Sequence, residues 1–223
     1  MKINKYIVNF LFFIITFFII SKSNAHTFTG KIGYFDGLSH PVLGFDHFLA
    51  MVSVGIISSQ IGGRAIFSIP ATFVFIMIIA GFSGIYIETI DSKLEEQIIY
   101  LNENGILFYI IVNISIFIEF GIIFSIIFFG LSISINKKLP QNMIIFFVGL
   151  FGLFHGLAHG LEIPWAANPI LFTLGFASGT AMLHIFGVII GYLAIKNELS
   201  LILLKLSGIC FTIYGFFLIN SYL

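Results

Sequence analysis

The chain of 223 residues is too apolar to be a soluble protein. Hydrophobic residues make up 59% of it and charged residues 9%, with a mean hydropathy of +1.10, whereas a soluble domain carries about 25% charged residues. Ten Lys and Arg residues balance ten Asp and Glu residues, so the net charge gives no indication of nucleic acid binding. The single cysteine, Cys210, excludes a disulfide framework and a cysteine-based metal centre within the chain. The composition predicts an all-α protein, a polytopic bundle of transmembrane helices that forms one domain.

The first 25 residues have the layout of a secretory signal peptide. Lys2 and Lys5 precede an apolar run over residues 7–20, and Ser23-Asn24-Ala25 fits the small-x-small rule for cleavage. The apolar run is short for a full membrane span, although an uncleaved first helix is the alternative. We expect cleavage after residue 25, so that residues 26–223 form the mature transmembrane domain.

Six apolar segments follow, and each is long enough to cross a bilayer. In chain order the predicted spans are 41–60, 66–87, 106–133, 141–161, 170–195 and 201–222. Short polar breaks separate them, and the longest of these breaks covers residues 88–104.

Charges in the polar breaks predict the orientation of the bundle. With the mature N-terminus outside, the breaks that hold Arg64, Lys137–Lys138 and Lys196 fall on the cytoplasmic side, where the positive-inside rule places basic residues. The acidic break 88–104 then falls outside. We therefore expect a multi-pass protein of the inner (cytoplasmic) membrane, with both ends of the mature chain in the periplasm or exterior.

The start of the first span carries three ionisable residues. A charged residue at the centre of a span costs about 2.5–3.5 kcal/mol, so function is the default explanation for such groups. His40 and His47 are seven residues apart, about two helical turns, which predicts that they share nearly the same face, with Asp46 beside it. Pro41 suits the first turn of this helix. The orientation places the group near the outer surface.

The end of the fourth span carries a second group. His155, His159 and Glu162 stand at i, i+4 and i+7, which predicts a single stripe on one helix. This span runs outward, so the stripe also lies in the outer half. Three glycines of the same segment recur every fourth residue and predict close helix packing rather than chemistry: Gly152, Gly156 and Gly160.

Two further ionisable residues are isolated near the middle of predicted spans. Glu119 lies in the third span and His184 in the fifth, and each has the alternative of being a hydrogen-bond partner between helices. Imidazole and carboxylate groups with almost no sulfur favour a borderline divalent transition ion such as nickel, cobalt, zinc, copper or iron. Two outer groups and two deeper residues together indicate a path, with capture outside and transfer inward.

Two long motifs make the resemblance to a known family specific. The segments His40-Pro-x-x-Gly-x-Asp-His-x-x-Ala-Met51 and Phe154-His155-Gly-x-Ala-His159-Gly-x-Glu162 resemble, in this order, the signatures of the HupE/UreJ family of membrane proteins. The likeness runs from about His40 to Tyr192, although segment 88–118 is longer than the usual link of the family. The resemblance implies a secondary permease for nickel, or in some members cobalt, with a cleavable signal and about six helices. It also implies an accessory role beside hydrogenase or urease.

The resemblance implies which residues handle the metal. The metal-handling residues of the two signatures carry over directly, as His40, Asp46, His47, His155, His159 and Glu162. The acidic residue of the third helix carries over less directly, as Glu119. The transported ion, Ni²⁺ or Co²⁺, would be cargo, and no permanently bound cofactor is expected. The expected partners are this ion and the lipid bilayer, without nucleic acid.

A membrane-embedded metalloenzyme is the alternative, because His and Glu ligands could hold zinc or iron with an open position. The sequence contains no His-Glu-x-x-His motif, no G-x-S-x-G motif and no nucleotide-binding loop. A metal-binding accessory protein that does not transport is a third reading. Metal content discriminates among them, since an enzyme keeps tightly bound metal through purification and a permease rebinds it reversibly. The resemblance favours a permease over both alternatives.

Overall fold

The protein is a bundle of α-helices. A computed structural model describes residues 33–98, 106–135, 139–163 and 168–222, and this part of the chain contains seven helices and no strand. They are α1 (Tyr34–Leu43), α2 (Phe45–Ile61), α3 (Ala65–Ile98), α4 (Ile106–Ile135), α5 (Gln141–Glu162), α6 (Pro169–Ala194) and α7 (Glu198–Tyr222). Five are long and apolar enough to cross a membrane, or six if α1 and α2 form one broken span. The predicted all-α, multi-pass architecture is confirmed, while the predicted signal peptide, 1–25, lies outside the described residues.

The predicted first span is interrupted at Gly44, so the prediction of one continuous helix over 41–60 is wrong. Helices α1 and α2 meet at an angle of 85°. Gly44 between them has an extended backbone (φ −77°, ψ 108°), and its N–H donates to the carbonyl of His40 at the end of α1. Pro41 lies inside α1 instead of in the first turn of the span. Because proline donates no backbone hydrogen bond, it weakens the last turn of α1 and favours the break that follows.

Helix α3 is longer than predicted. Its apolar part, Ala65–Thr89, agrees with the predicted span 66–87, but the helix continues to Ile98 through most of the polar break. Residues 88–98 contain Glu, Lys, Leu and Gln, which favour helix, and neither Gly nor Pro. Helical propensity therefore carries the chain beyond the apolar segment, and the prediction of a loop from residue 88 is wrong.

Close contacts at glycine residues join the helices in pairs. Helix α3 packs on α5, where Gly152 lies against the carbonyl of Phe73 and Gly156 against that of Met77, too close for a side chain at either position. The predicted packing role of the glycine stripe is thus confirmed.

Two other helix pairs use the same kind of contact. Gly55 of α2 meets Gly187 of α6, and Gly130 of α4 meets Gly208 of α7. Helix α1 also packs on α6, through close approaches at Gly37 of α1 and Gly175 and Gly179 of α6. Small residues at such spacings are what hold transmembrane helices together, since lipid gives no hydrophobic drive for their association.

Side-chain hydrogen bonds show which helix ends lie together. Gln60 Nε2 at the end of α2 donates to the Ile133 carbonyl near the end of α4 (3.5 Å), and Gln141 Nε2 at the start of α5 donates to Ser68 Oγ near the start of α3 (3.1 Å). Helix α6 runs parallel to α2, since residues 52 and 56 of α2 lie beside 187 and 191 of α6. The turns that carry Arg64 and Lys196 therefore share one end of the bundle, which we call the basic end.

The contact at Gly156 gives a test of the packing. In the variant Gly156→Val the new side chain would meet the Met77 carbonyl and the Ala80 side chain, so α3 and α5 must move apart, at a cost of about 1–3 kcal/mol. We expect a melting temperature several degrees lower in detergent, measured by thermal unfolding. Gly33→Ala is the matched control, because nothing lies within 4 Å of its added Cβ. Equal melting temperatures of Gly156→Val and the wild type would contradict the close approach.

Candidate metal site

Four histidine side chains meet at the end of the bundle opposite the basic end. They come from three helices, and we call them the histidine cluster: His40 of α1, His47 of α2, and His155 and His159 of α5. The ring centroids of His47 and His159 are 4.5 Å apart, those of His40 and His159 are 4.7 Å apart, and those of His47 and His155 are 5.2 Å apart. The structure thus brings together the histidines of the two sequence motifs.

The break at Gly44 changes how His40 and His47 come together. We predicted two positions on one face of a continuous helix, and that geometry is wrong because the residues lie on separate helices at 85°. Their ring centroids are nevertheless 6.3 Å apart, since the bend turns the end of α1 toward the start of α2. The expected proximity holds for a different physical reason.

Hydrogen bonds orient two of the four imidazole rings. His47 Nδ1 lies 2.8 Å from Asp46 Oδ1, and His155 Nδ1 lies 2.8 Å from the carbonyl oxygen of Phe151. A carbonyl oxygen only accepts, so His155 carries its proton on Nδ1 and leaves the lone pair of Nε2 available. Among the described residues, that Nε2 is buried without a hydrogen-bond partner. A ring held through one nitrogen presents the other in the manner typical of metal ligands.

Aromatic rings enclose the histidine cluster. Phe172 and Phe176 of α6 contact His40, with centroids 5.8 and 5.9 Å away, and Phe176 also lies 4.2 Å from His159. His155 and His159 are 0% and 4% exposed. An ion that reaches these rings must therefore shed most of its water.

The rings as they stand do not form a finished coordination site. Among the described residues, no three His, Cys, Asp or Glu side chains are placed to hold one ion, and most of the cluster rings meet edge to face. Glu162 is the last residue of α5, and its side chain lies outside the described part of the structure. Its predicted ligand role, like that of the other predicted residues, stays a prediction.

Glu119 lies level with the histidine cluster along the bundle. It is half-buried and is the fourteenth residue of α4. Its neighbours Ile118 and Ile122 pack with Ala158, which stands between His155 and His159 on α5. The prediction that Glu119 lies deep in the bilayer stays a prediction.

His184 lies further along the bundle than the cluster, near the middle of α6. It is 1% exposed, and neither ring nitrogen has a hydrogen-bond partner among the described residues. The ring of Phe73 lies between it and the cluster, 5.1 Å from the His184 ring and 5.3 Å from that of His155. Sequence reasoning missed Phe73 and Phe176, since a phenylalanine in an apolar span resembles lipid-facing residues.

Comparison with known proteins assigns the family. The family described as HupE / UreJ protein matches residues 14–102 and 104–218. The chain is 32% identical over 168 residues to Protein HupE of Rhizobium leguminosarum bv. viciae, and the match covers 75% of each chain. No solved structure matches it. With a match over most of its length and both histidine motifs joined in one cluster, the chain belongs to the HupE/UreJ family of multi-pass membrane proteins.

Proposed function

We propose that the protein is a secondary permease that takes up a divalent transition-metal ion, nickel or alternatively cobalt, across the cytoplasmic membrane. Membership of the HupE/UreJ family supports metal transport as the general function. The observation that carries the specific proposal is the histidine cluster, in which three helices bring four imidazoles together at one end of the bundle. Imidazole suits nickel and cobalt, whereas magnesium and calcium prefer oxygen ligands.

Capture of the ion would begin at the outer surface. His47 is the most accessible of the α2 and α5 histidines, with 13% of its side chain exposed, and Asp46 holds its ring through Nδ1. The ion would then engage the buried Nε2 of His155 as the rings rotate from edge contacts to a common centre. Glu162, and Glu119 at the same level, would supply negative charge. Because imidazole binds a metal only when neutral, acid should weaken capture.

Transfer inward would lead past Phe73 to His184, which lies closer to the basic end. The membrane potential contributes about 2.3 kcal/mol per charge for each 100 mV, and metal trapping inside the cell would add to it. We propose this chain as a permease rather than an enzyme. The route needs only ligand exchange along the bundle.

Uptake of labelled nickel tests the capture site. His47→Ala removes the central ring of the cluster and the partner of Asp46, so we expect nickel accumulation in cells to fall to background while the protein stays in the membrane. Excess magnesium should not compete with uptake by the wild type, whereas cobalt should. His26→Ala is the control, since His26 belongs to neither motif. Normal uptake by His47→Ala at equal protein level would refute this assignment.

The ligand role of Glu162 has a matched comparison. Glu162→Gln removes a charge at the cluster end of α5, and Glu198→Gln removes one from an exposed position at the start of α7, at the basic end. Loss of a metal-site residue typically costs about 10–100-fold, so we expect nickel uptake to fall by about tenfold or more only in Glu162→Gln. Equal uptake in the two variants would remove the case for Glu162.

Cysteine labelling tests the orientation. In a Cys210→Ser background, an impermeant thiol reagent should label Asn102→Cys in intact cells, because the acidic segment around it is predicted outside. Asn197→Cys at the basic end should react only after lysis. The reverse pattern would place the histidine cluster on the cytoplasmic side and rule out capture from outside.

A further inference from the structure

Polar and sulfur atoms continue from the histidine cluster along the contact between α3 and α6. These helices run antiparallel, with Met77 beside Thr180 and Phe73 beside His184. Each helix contributes positions one turn apart, 73 and 77 on α3 and 180 and 184 on α6. Thr180 Oγ1 lies 3.8 Å from Met77 Sδ. This interface thus carries a thioether, a hydroxyl and an imidazole.

A small cavity lies between Met77 of this interface and His159 of the cluster. It has a volume of about 20 Å³ and is lined by His159 of α5, Met77 of α3 and Thr173 of α6, among others. That volume holds about one water-sized species. An ion that leaves His159 therefore has a space beside Met77 that admits it only after most of its water is lost.

The burial of His184 supports a role for its imidazole as a ligand. The side chains of Met77, Thr180 and His184 are 2%, 0% and 1% exposed, and both nitrogens of His184 lack a hydrogen-bond partner among the described residues. A buried polar group without a partner requires an explanation, and a water or an ion is a common one. A neutral imidazole has one nitrogen with a free lone pair, which is a metal ligand.

We propose that Met77, Thr180 and His184 form a second, inner metal-binding site that receives the ion from the histidine cluster. This inner site rests on the permease function proposed above. It adds a sulfur ligand to the imidazoles along the proposed route. Phe176, which touches the cluster, precedes His184 by eight residues on the same helix, about 12 Å at 1.5 Å per residue. His184 therefore lies about two helical turns beyond the contact with the cluster, and the ring of Phe73 stands between His184 and His155.

The ligand set predicts the class of ion. A thioether with an imidazole and a hydroxyl suits a borderline or soft ion such as Ni²⁺, and it is a poor site for Mg²⁺ or Mn²⁺, which prefer oxygen. An ion that passes both sites therefore binds first to imidazoles and then to a site that contains sulfur, so both sites select for transition-metal ions.

X-ray absorption at the nickel edge tests the proposal on the purified full chain. In a Cys210→Ser background methionine is the remaining source of sulfur, so we expect a sulfur scatterer in the nickel-loaded protein. Met77→Leu keeps the shape of the side chain and should abolish that signal. Met182→Leu is the matched control, since Met182 lies on α6 two residues from His184 but is 62% exposed, and it should retain the signal.

Equilibrium dialysis counts the sites. We expect about two nickel ions per chain, and about one in His184→Gln, with nickel uptake lower by about tenfold or more. One ion per chain and no sulfur scatterer, with nickel uptake intact, would overturn the inner site and leave the permease standing. A sulfur signal that persists in Met77→Leu would also overturn it. Absence of both nickel binding and uptake would overturn the permease as well.

Discussion

The close approach of helix backbones at glycine residues is the constraint on which the site depends. Glycines of α5 fit against carbonyl groups of α3, and α2 and α6 meet through Gly55 and Gly187. In a membrane such contacts replace the hydrophobic drive that assembles a soluble core. They set the distances between helices so that rings from α1, α2 and α5 touch. A side chain at Gly156 would move α5, and with it the two histidines that α5 contributes.

The broken first span follows from the same packing. A break in a helix at membrane depth leaves backbone groups that lipid cannot satisfy, so it persists only where protein surrounds it. Here α1 lies closely on α6 through Gly37, Gly175 and Gly179. Because of the break, His40 and His47, which are seven positions apart, reach one cluster from different directions. A continuous helix would have stacked them about 10 Å apart along its axis.

The sequence predicted the helices better than it predicted their breaks. Hydropathy placed the spans from the third to the sixth to within a few residues, because about 20 apolar residues are needed to cross a bilayer. It failed at Gly44, where a proline and an extended glycine end a helix inside an apolar segment. It also failed after Glu88, where helix-forming residues continue beyond the apolar segment.

For the candidate site too, the sequence predicted some features and not others. Ionisable residues stand out in apolar spans, so His155 and His159 could be paired from spacing alone. Which rings touch across helices depends on tertiary packing, as the His47–His155 contact shows. Met77 and Thr180 could not be predicted as site residues from the sequence, since both residue types are common in transmembrane helices. Their relevance emerges only when α3 and α6 are seen side by side.

The break at Gly44 also has an electrostatic consequence. It creates an additional helix C-terminus, and His40 stands in the last turn of α1 as His159 does in the last turn of α5. Each helix C-terminus carries about −0.5 of an elementary charge, and the start of α2 carries about +0.5. The start of α6 adds a further +0.5, since its fourth residue, Phe172, contacts His40, so the helix dipoles around the cluster sum to about zero. The attraction of the cluster for a cation therefore comes from its imidazoles and carboxylates, and it falls as these groups take up protons.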